Sequence, residues 1–149
     1  RLSPQSGAFP GTRTGWFGYG AGGYGFTPNK LALINQLGYP VSHDSGNIMQ
    51  RTDSQGVVTP ADSNNTVWGS RQTGGSSGGP ELVNLGFQGV LTTPLGQQAA
   101  RNIVVGATSW GFTSPDVKLQ GASPFTANNI VSLVNSACLV SGTTRAACK

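Results

Sequence analysis

Between Thr73 and Pro80 the chain reads TGGSSGGP. Four glycines around two serines permit tight, left-handed turns that residues bearing a Cβ resist. Such a loop can aim successive backbone N–H groups into one concavity, as a developing oxyanion requires, and a serine held there is placed to attack a carbonyl. The same composition also suits a plain loop between two strands, so its neighbours carry the decision. A serine hydroxyl is a weak nucleophile until a general base takes its proton. The chain offers one histidine, His43, in the segment PVSHDSG. The adjacent Asp44 does not make a relay with it, because sequence neighbours on a loop or strand tend to point apart. Asp53, Asp62 and Asp116 stand in no context that would orient a base.

The elements that must position such a loop are short. Runs rich in Val, Ile, Thr and aromatics, bounded by Gly, Pro, Asn and Asp, predict strands at 16–19, 31–39, 47–51, 56–59, 66–68, 81–91 and 102–110. No helix-length segment alternates with them, so the pattern predicts an all-β antiparallel barrel or sandwich. One helix is predicted at about 126–137, where Ile130, Leu133, Val134 and Ala137 repeat at helical spacing to be laid against the strands. Ser123 or Thr126 is placed to cap it, and Pro124 suits its first turn. No linker divides residues 1–149, which read as one unit. Cys138 and Cys148 follow the helix in a polar tail. A bridge closing 138–148 is favoured over two free thiols, would add about 3 kcal/mol, and implies an oxidising, extracellular compartment.

Composition narrows the chemistry. Nine Lys+Arg against five Asp+Glu give a net charge of +4, and charged residues make up 9% of the 149. An average domain carries about 25%. So thin a charge, without a low apolar content, does not fit disorder. The cations are scattered, no two adjacent, which does not fit a phosphate-tracking surface, so no nucleic-acid partner is expected. No apolar run is long enough to span a membrane. The first residues, RLSPQSGAFPG, lack the apolar core of a signal peptide, so any targeting segment is expected to have been removed or never present. One His and two Cys do not make a usual mononuclear metal site, and neither metal nor cofactor is expected.

TGGSSGGP resembles the nucleophile loop G-D-S-G-G-P of the chymotrypsin-like serine peptidases, in their bacterial trypsin-like and glutamyl-endopeptidase-like branch. The resemblance implies that Ser77 is the nucleophile and that the N–H groups of Gly75 and Ser77 form the oxyanion hole. Three further segments fall in the family's order: TGWFGYG (14–20) resembles the lead into the second barrel, LGYP (37–40) a strand end, and TSWG (108–111) the strand whose backbone pairs with substrate. The fold so implied is an antiparallel six-stranded Greek-key barrel, the C-terminal one of two, closed by the C-terminal helix. There are departures. Ser76 stands where the family has Asp, and Thr73 where a cysteine is expected. GSSGG (75–79) also fits the G-x-S-x-G elbow of α/β-hydrolases, but that motif needs a following helix, and Pro80 with a strand-like run follows instead.

Counting back from Ser77, the resemblance puts Arg71 at the floor of the specificity pocket with Gln72 beside it. It puts Thr108 on the wall and Ser109, Trp110 and Gly111 along the substrate strand. An arginine there would attract a carboxylate through a bidentate pair. Yet glutamyl-specific relatives carry His at the position of Thr108. Arg71 turned to solvent would instead leave a pocket for apolar or small polar side chains, rimmed by Phe112 and Pro115, so specificity stays open.

The family's base and its orienting Asp come from the first barrel, the base in a T-A-A-H-C context that this chain lacks. The resemblance puts His43 on an interstrand loop instead. The expectation is the nucleophile-bearing chain of a secreted serine endopeptidase, hydrolysing peptide bonds through an acyl-enzyme on Ser77. Its partners would be a protein or peptide substrate and a separate, cleaved first-barrel chain of about 80–120 residues holding His and Asp. Free of that companion, the chain would expose an apolar inter-barrel patch. The alternative is a non-catalytic, pseudo-peptidase binding module.

Overall fold

In LALINQLG the apolar residues first alternate and then run together, and strand β2 (Leu31–Gly38) follows both patterns. Its first half buries Ala32 and Ile34 and turns Leu33 to solvent at 65% exposure. Its second half, Asn35–Gly38, is buried throughout, which a strand facing solvent on one side cannot be. The computed structural model describes residues 6–59, 64–86 and 98–139. Within them a five-residue helix α1 (Pro10–Thr14) and a short strand β1 (Gly18–Tyr19) precede β2. After β2 come β3 (Gln50–Val58), β4 (Thr66–Gly69), β5 (Pro80–Val83), β6 (Ile103–Gly111) and β7 (Leu119–Pro124).

Six of these strands close on themselves in the order β6-β5-β2-β3-β4-β7, with β7 returning to β6. Every pairing in the ring is antiparallel. β1 adds outside the ring, parallel to β6. This is the expected six-stranded barrel with one extra strand. Its core is Ala32, Ile34, Trp68, Val83, Ile103, Val105 and Ala122, with Tyr24 and Phe26 packed against it.

The differences from the expected elements have local causes. The strands expected at 47–51 and 56–59 are one strand, β3. The polar residues between them, Asp53 and Gln55, are the outward face of its alternation. The run expected at 81–91 ends as a strand at Val83, where Asn84 takes a positive φ of 56°. The part of that run from 87 on lies outside the described residues. The strand expected at 16–19 shrinks to two residues. β7 was not expected at all, since LQGASP carries a single large apolar residue. It is held instead by backbone pairing on both sides and by Trp110, which packs on Gly121 so closely that a Cβ there would strike the indole.

The C-terminal helix forms, but not as expected. A π-helical turn (Ala127–Val131) leads into α2 (Ser132–Leu139), while Ser123 and Pro124 belong to β7. Asn129 Oδ1 accepts from Thr126 N–H at 2.7 Å, so Thr126 does begin the helical segment. The apolar stripe is not sealed against the barrel: Leu133 is 65% exposed, and Ile130, Val134 and Ala137 are half-buried. The bridge expected between Cys138 and Cys148 reaches a residue outside those described.

Candidate active site

The segment 70–79 leaves β4, lies across the second half of β2, and enters β5. That cover is why Asn35–Gly38 are buried on both faces. A Cβ on Gly38 would meet Gln72 Oε1 and lie 2.8 Å from Ser76 Oγ, and one on Gly79 would strike the Leu37 carbonyl. The loop is pinned at several points. Val41 N–H donates to Gly74 O at 2.8 Å, Ser42 N–H to Thr73 Oγ1 at 3.1 Å, and Gly78 N–H to Thr108 O at 2.8 Å. Thr108 N–H returns to Gly79 O at 2.9 Å, so the loop is tied to β6 as well as β2.

Within this frame the backbone amides divide. Ser76 N–H donates to Thr73 O and Gly79 N–H to Ser76 O. The N–H groups of Gly75 and Ser77 have no partner among the described residues. Gly75 sits at φ +97° and Gly78 at +78°, the left-handed region glycine enters at little cost. Ser77 between them is exposed, and its Oγ makes no hydrogen bond within the described residues. An exposed serine between two unpaired amide donors fits attack on a carbonyl and stabilisation of the oxyanion that follows.

Ser76 points the other way. It is 1% exposed, and its Oγ donates to Gln72 Oε1 at 2.8 Å. Gln72 in turn donates through Nε2 to Thr52 Oγ1 at 3.1 Å. Its carbonyl accepts from Gln120 Nε2 at 2.9 Å, and Gln120 Oε1 accepts from Gln36 Nε2 at 2.5 Å. Gln36 Oε1 then receives Ser70 Oγ at 2.7 Å and Trp68 Nε1 at 3.2 Å. A chain of buried amides and hydroxyls therefore runs from the barrel interior to the residue before Ser77. It braces the loop where the resembled family uses Asp and cysteine. Gln72→Leu keeps the volume but strands the Ser76 hydroxyl, so it should lower stability by about 1–3 kcal/mol. Urea denaturation checks this, and an unchanged midpoint would count against the brace.

The remaining expected residues separate. Arg71, Gln72 and Gly111 line a cavity of about 430 Å³ beside the loop. Thr108 does not line it: this residue is 4% exposed, and its Oγ1 accepts from Gln36 Nε2. Ser109 sits at a bulge in β6, between Thr108 and Trp110. Trp110 Nε1 donates to Asn65 Oδ1 at 2.7 Å, and its ring meets Phe112 edge-on at 5.6 Å. β5 pairs with β6 only as far as Ala107, whereas β7 continues alongside to Gly111. Past Ala107 one edge of β6 therefore has no strand partner among the described residues.

His43 joins the cavity wall rather than the nucleophile. Its Nδ1 lies 2.9 Å from Ser42 Oγ. Lys118 and the rim residues Phe112 and Pro115 line the same space. Sequence reasoning had the rim but missed Lys118, which reaches the cavity because the 112–118 turn folds back beside β4: Ser70 N–H donates to Lys118 O at 2.9 Å. Spacing from Ser77 carries no trace of that turn.

No family model matches the sequence, and no curated protein matches it. Solved structures do resemble the fold. A thermostable serine protease, AL20, from an extremophilic microorganism superposes with a TM-score of 0.59 at 18% identity, over 85% of this chain and 50% of that one. The protease Anisep from Arthrobacter nicotinovorans gives a TM-score of 0.61 at 18% identity, over 91% and 54%. The chain thus spans about half the length of each, and its fold is that of a trypsin-like barrel.

Proposed function

We propose that this chain is the nucleophile-bearing barrel of a secreted serine endopeptidase, cleaving peptide bonds through an acyl-enzyme on Ser77. The observation that carries the reading is the pair of unpaired N–H groups, Gly75 and Ser77, beside an exposed hydroxyl on a loop pinned from three sides. In the proposed reaction Ser77 Oγ attacks the scissile carbonyl, its proton passes to a base, and the two amides receive the oxyanion. The edge of β6 beyond Thr108, whose own N–H and carbonyl are taken by the loop, offers the extended substrate a strand to pair with. The solved structures it resembles are described as serine proteases, which supports a peptidase barrel.

The base comes from elsewhere. His43 Nδ1 lies in hydrogen-bond reach of Ser42 Oγ, and neither His43 nor any Asp hydrogen-bonds to Ser77 among the described residues. We assign the base and its orienting acid to a first-barrel companion, carried on a separate chain. The exposed apolar residues Tyr39, Val41, Ile48 and Met49 support such a contact. They occupy the β2–β3 connection, and Val41 lies against Gly75. The missing base also favours a second reading, a binding module without turnover.

A fluorophosphonate probe separates these. Ser77 Oγ displaces fluoride from phosphorus only when a base takes its proton, so peptide mapping of the protein isolated from its source should find the adduct on Ser77. The 149-residue chain alone should label poorly. Efficient labelling of the chain alone would overturn the companion requirement. No labelling of the isolated native protein would favour the binding module.

A further inference from the structure

We infer that Gln36 is a positioning residue for the nucleophile loop, aiming the Ser77 N–H from inside the barrel although it bonds to neither Ser77 nor Gly75. The inference rests on the peptidase reading and adds the buried group that sets the oxyanion geometry.

The polarity of the buried amide chain is fixed by neighbours that have a single hydrogen-bonding role. The indole N–H of Trp68 can only donate, so Gln36 must turn Oε1 toward it and Nε2 toward Gln120 and Thr108. Gln120 answers with Oε1, which leaves its Nε2 for the Gln72 carbonyl, an acceptor only. Gln72 Nε2 faces the Gln50 carbonyl at 3.4 Å, so its Oε1 receives the Ser76 hydroxyl. Ser70 links the same residues by a second route: its Oγ donates to Gln36 Oε1 and accepts from Gln72 N–H at 3.1 Å. Gln36, at 0% exposure, therefore has both amide hydrogens and both oxygen lone pairs engaged inside the protein.

Two arms leave Gln36 and meet at one peptide. The first runs through Gln120 and Ser70 to Gln72, which holds the Ser76 side chain. The second runs through Thr108 Oγ1, which accepts from Gln36 Nε2 at 3.3 Å. Thr108 N–H donates to Gly79 O, and Gly79 N–H donates to Ser76 O at 2.9 Å. The Ser76 carbonyl and the Ser77 N–H belong to the same planar trans peptide and point opposite ways. Holding the carbonyl and the side chain of Ser76 therefore aims the Ser77 N–H. Thr108 O also accepts from Gly78 N–H, so the residue after Ser77 hangs from the second arm as well. Gln36 is the group that both arms share.

The test reads the limiting rate of Ser77 labelling and the half-saturating fluorophosphonate concentration, for the protein and its variants isolated from the source. Gln36→Met keeps the length of the side chain and removes its hydrogen bonds. It should lower the limiting rate about 10²-fold, the loss that a misplacement of about 1 Å produces. The half-saturating concentration should not change, because the aimed amide acts on the transition state. Asn35→Leu separates aim from stability. Asn35 lies on the opposite face of β2, where its Nδ2 donates to Asp53 at 2.7 Å and its Oδ1 accepts from Leu85 N–H. This variant should lower the urea midpoint and leave the labelling rate alone. Thr108→Val should slow labelling about 2–10-fold, the equivalent of one ordinary hydrogen bond, and Thr108→Ser should restore it. Adding Thr108→Val to Gln36→Met should slow it no further, since that arm acts through Gln36. Gln36→Met labelling at the wild-type rate, Asn35→Leu slowed as much as Gln36→Met, or effects that multiply in the double variant would each overturn the positioning role while the peptidase reading survives. If the wild-type protein isolated from its source does not label, both fall. Should Gln36→Met not fold, the Thr108 pair decides, and equal rates for valine and serine overturn the role.

Discussion

Gly75→Ala is expected to slow labelling of Ser77 by about 10²–10³-fold, the loss that accompanies removal of one oxyanion donor, while leaving the barrel folded. Two constraints meet at this residue. Its φ of +97° is one that side chains with a Cβ rarely adopt, at a cost of about 1–3 kcal/mol. The added Cβ would also strike the backbone oxygen of Tyr39, with Val41 Cγ2 at 3.3 Å and Val41 N at 3.4 Å. That obstacle cannot swing aside, because Val41 N–H is bonded to Gly74 O across the same gap. The peptide joining Gly74 to Gly75 must rotate, and the Gly75 N–H leaves the face it shares with Ser77. Gly74→Ala is the control, since its Cβ meets nothing within 4 Å, and it should label near the wild-type rate. Gly78→Ala adds a positive φ of 78° with open space around the Cβ, so it reports strain without collision and should fall between. Gly75→Ala labelling at the wild-type rate would remove this amide from the site.

Much of this site could be read from sequence because glycine spacing is itself geometric information. TGGSSGGP specified where the chain turns left-handed, and Gly75 and Gly78 do so on either side of an exposed Ser77. The strands were legible where one face is apolar, as in Ala32 and Ile34 of β2. They were not legible where burial comes from polar partners. Gln36 is 0% exposed and Gln120 6%, yet both read as surface residues until the chain of amides linking them to Gln72 is seen. β7 was invisible for the same reason. The helix stripe erred the other way: its spacing is real, but half-burial of Val134 and 65% exposure of Leu133 show that periodicity alone does not supply a partner surface. The pocket depended on residues distant in sequence, Lys118 and His43, whose convergence follows from the β6–β7 and β2–β3 connections and not from any motif.

Stability should fall as pH rises from about 5 to 9, and Glu81 should account for much of the slope. Glu81 follows Pro80 directly, pairs with Gln36 on one side and Gly106 on the other, and is 0% exposed. Neither carboxyl oxygen has a hydrogen-bond partner of normal geometry, and a Cβ on Gly106 would strike Oε2. Burial pushes this carboxyl from its ordinary 4.5 up to about 8, and the nearby Thr66 hydroxyl offsets a smaller part. The folded chain therefore holds a proton near neutrality that the unfolded chain releases. With the folded pKa above the unfolded one, the stabilising effect is fully present below 4.5 and is lost as pH climbs through 8. Between those limits the free energy of unfolding should drop by about 1.4 kcal/mol per pH unit from this group. Urea midpoints at pH 5, 7 and 9 should diverge between wild type and Glu81→Gln, whose amide does not titrate: the variant's profile should be the flatter. Glu81→Leu, which replaces an unpaired polar group by an apolar one, should exceed wild type above pH 8. Parallel profiles for wild type and Glu81→Gln would mean that the carboxyl finds water or a partner on ionising. The consequence reaches the site, because Glu81 is the second residue of β5, the strand into which the nucleophile loop runs. An ionised carboxylate seeking solvent pulls on Pro80 and Gly79, and Gly79 O is the acceptor for Thr108 N–H. Loss of Ser77 labelling at alkaline pH should therefore precede global unfolding in wild type and not in Glu81→Gln.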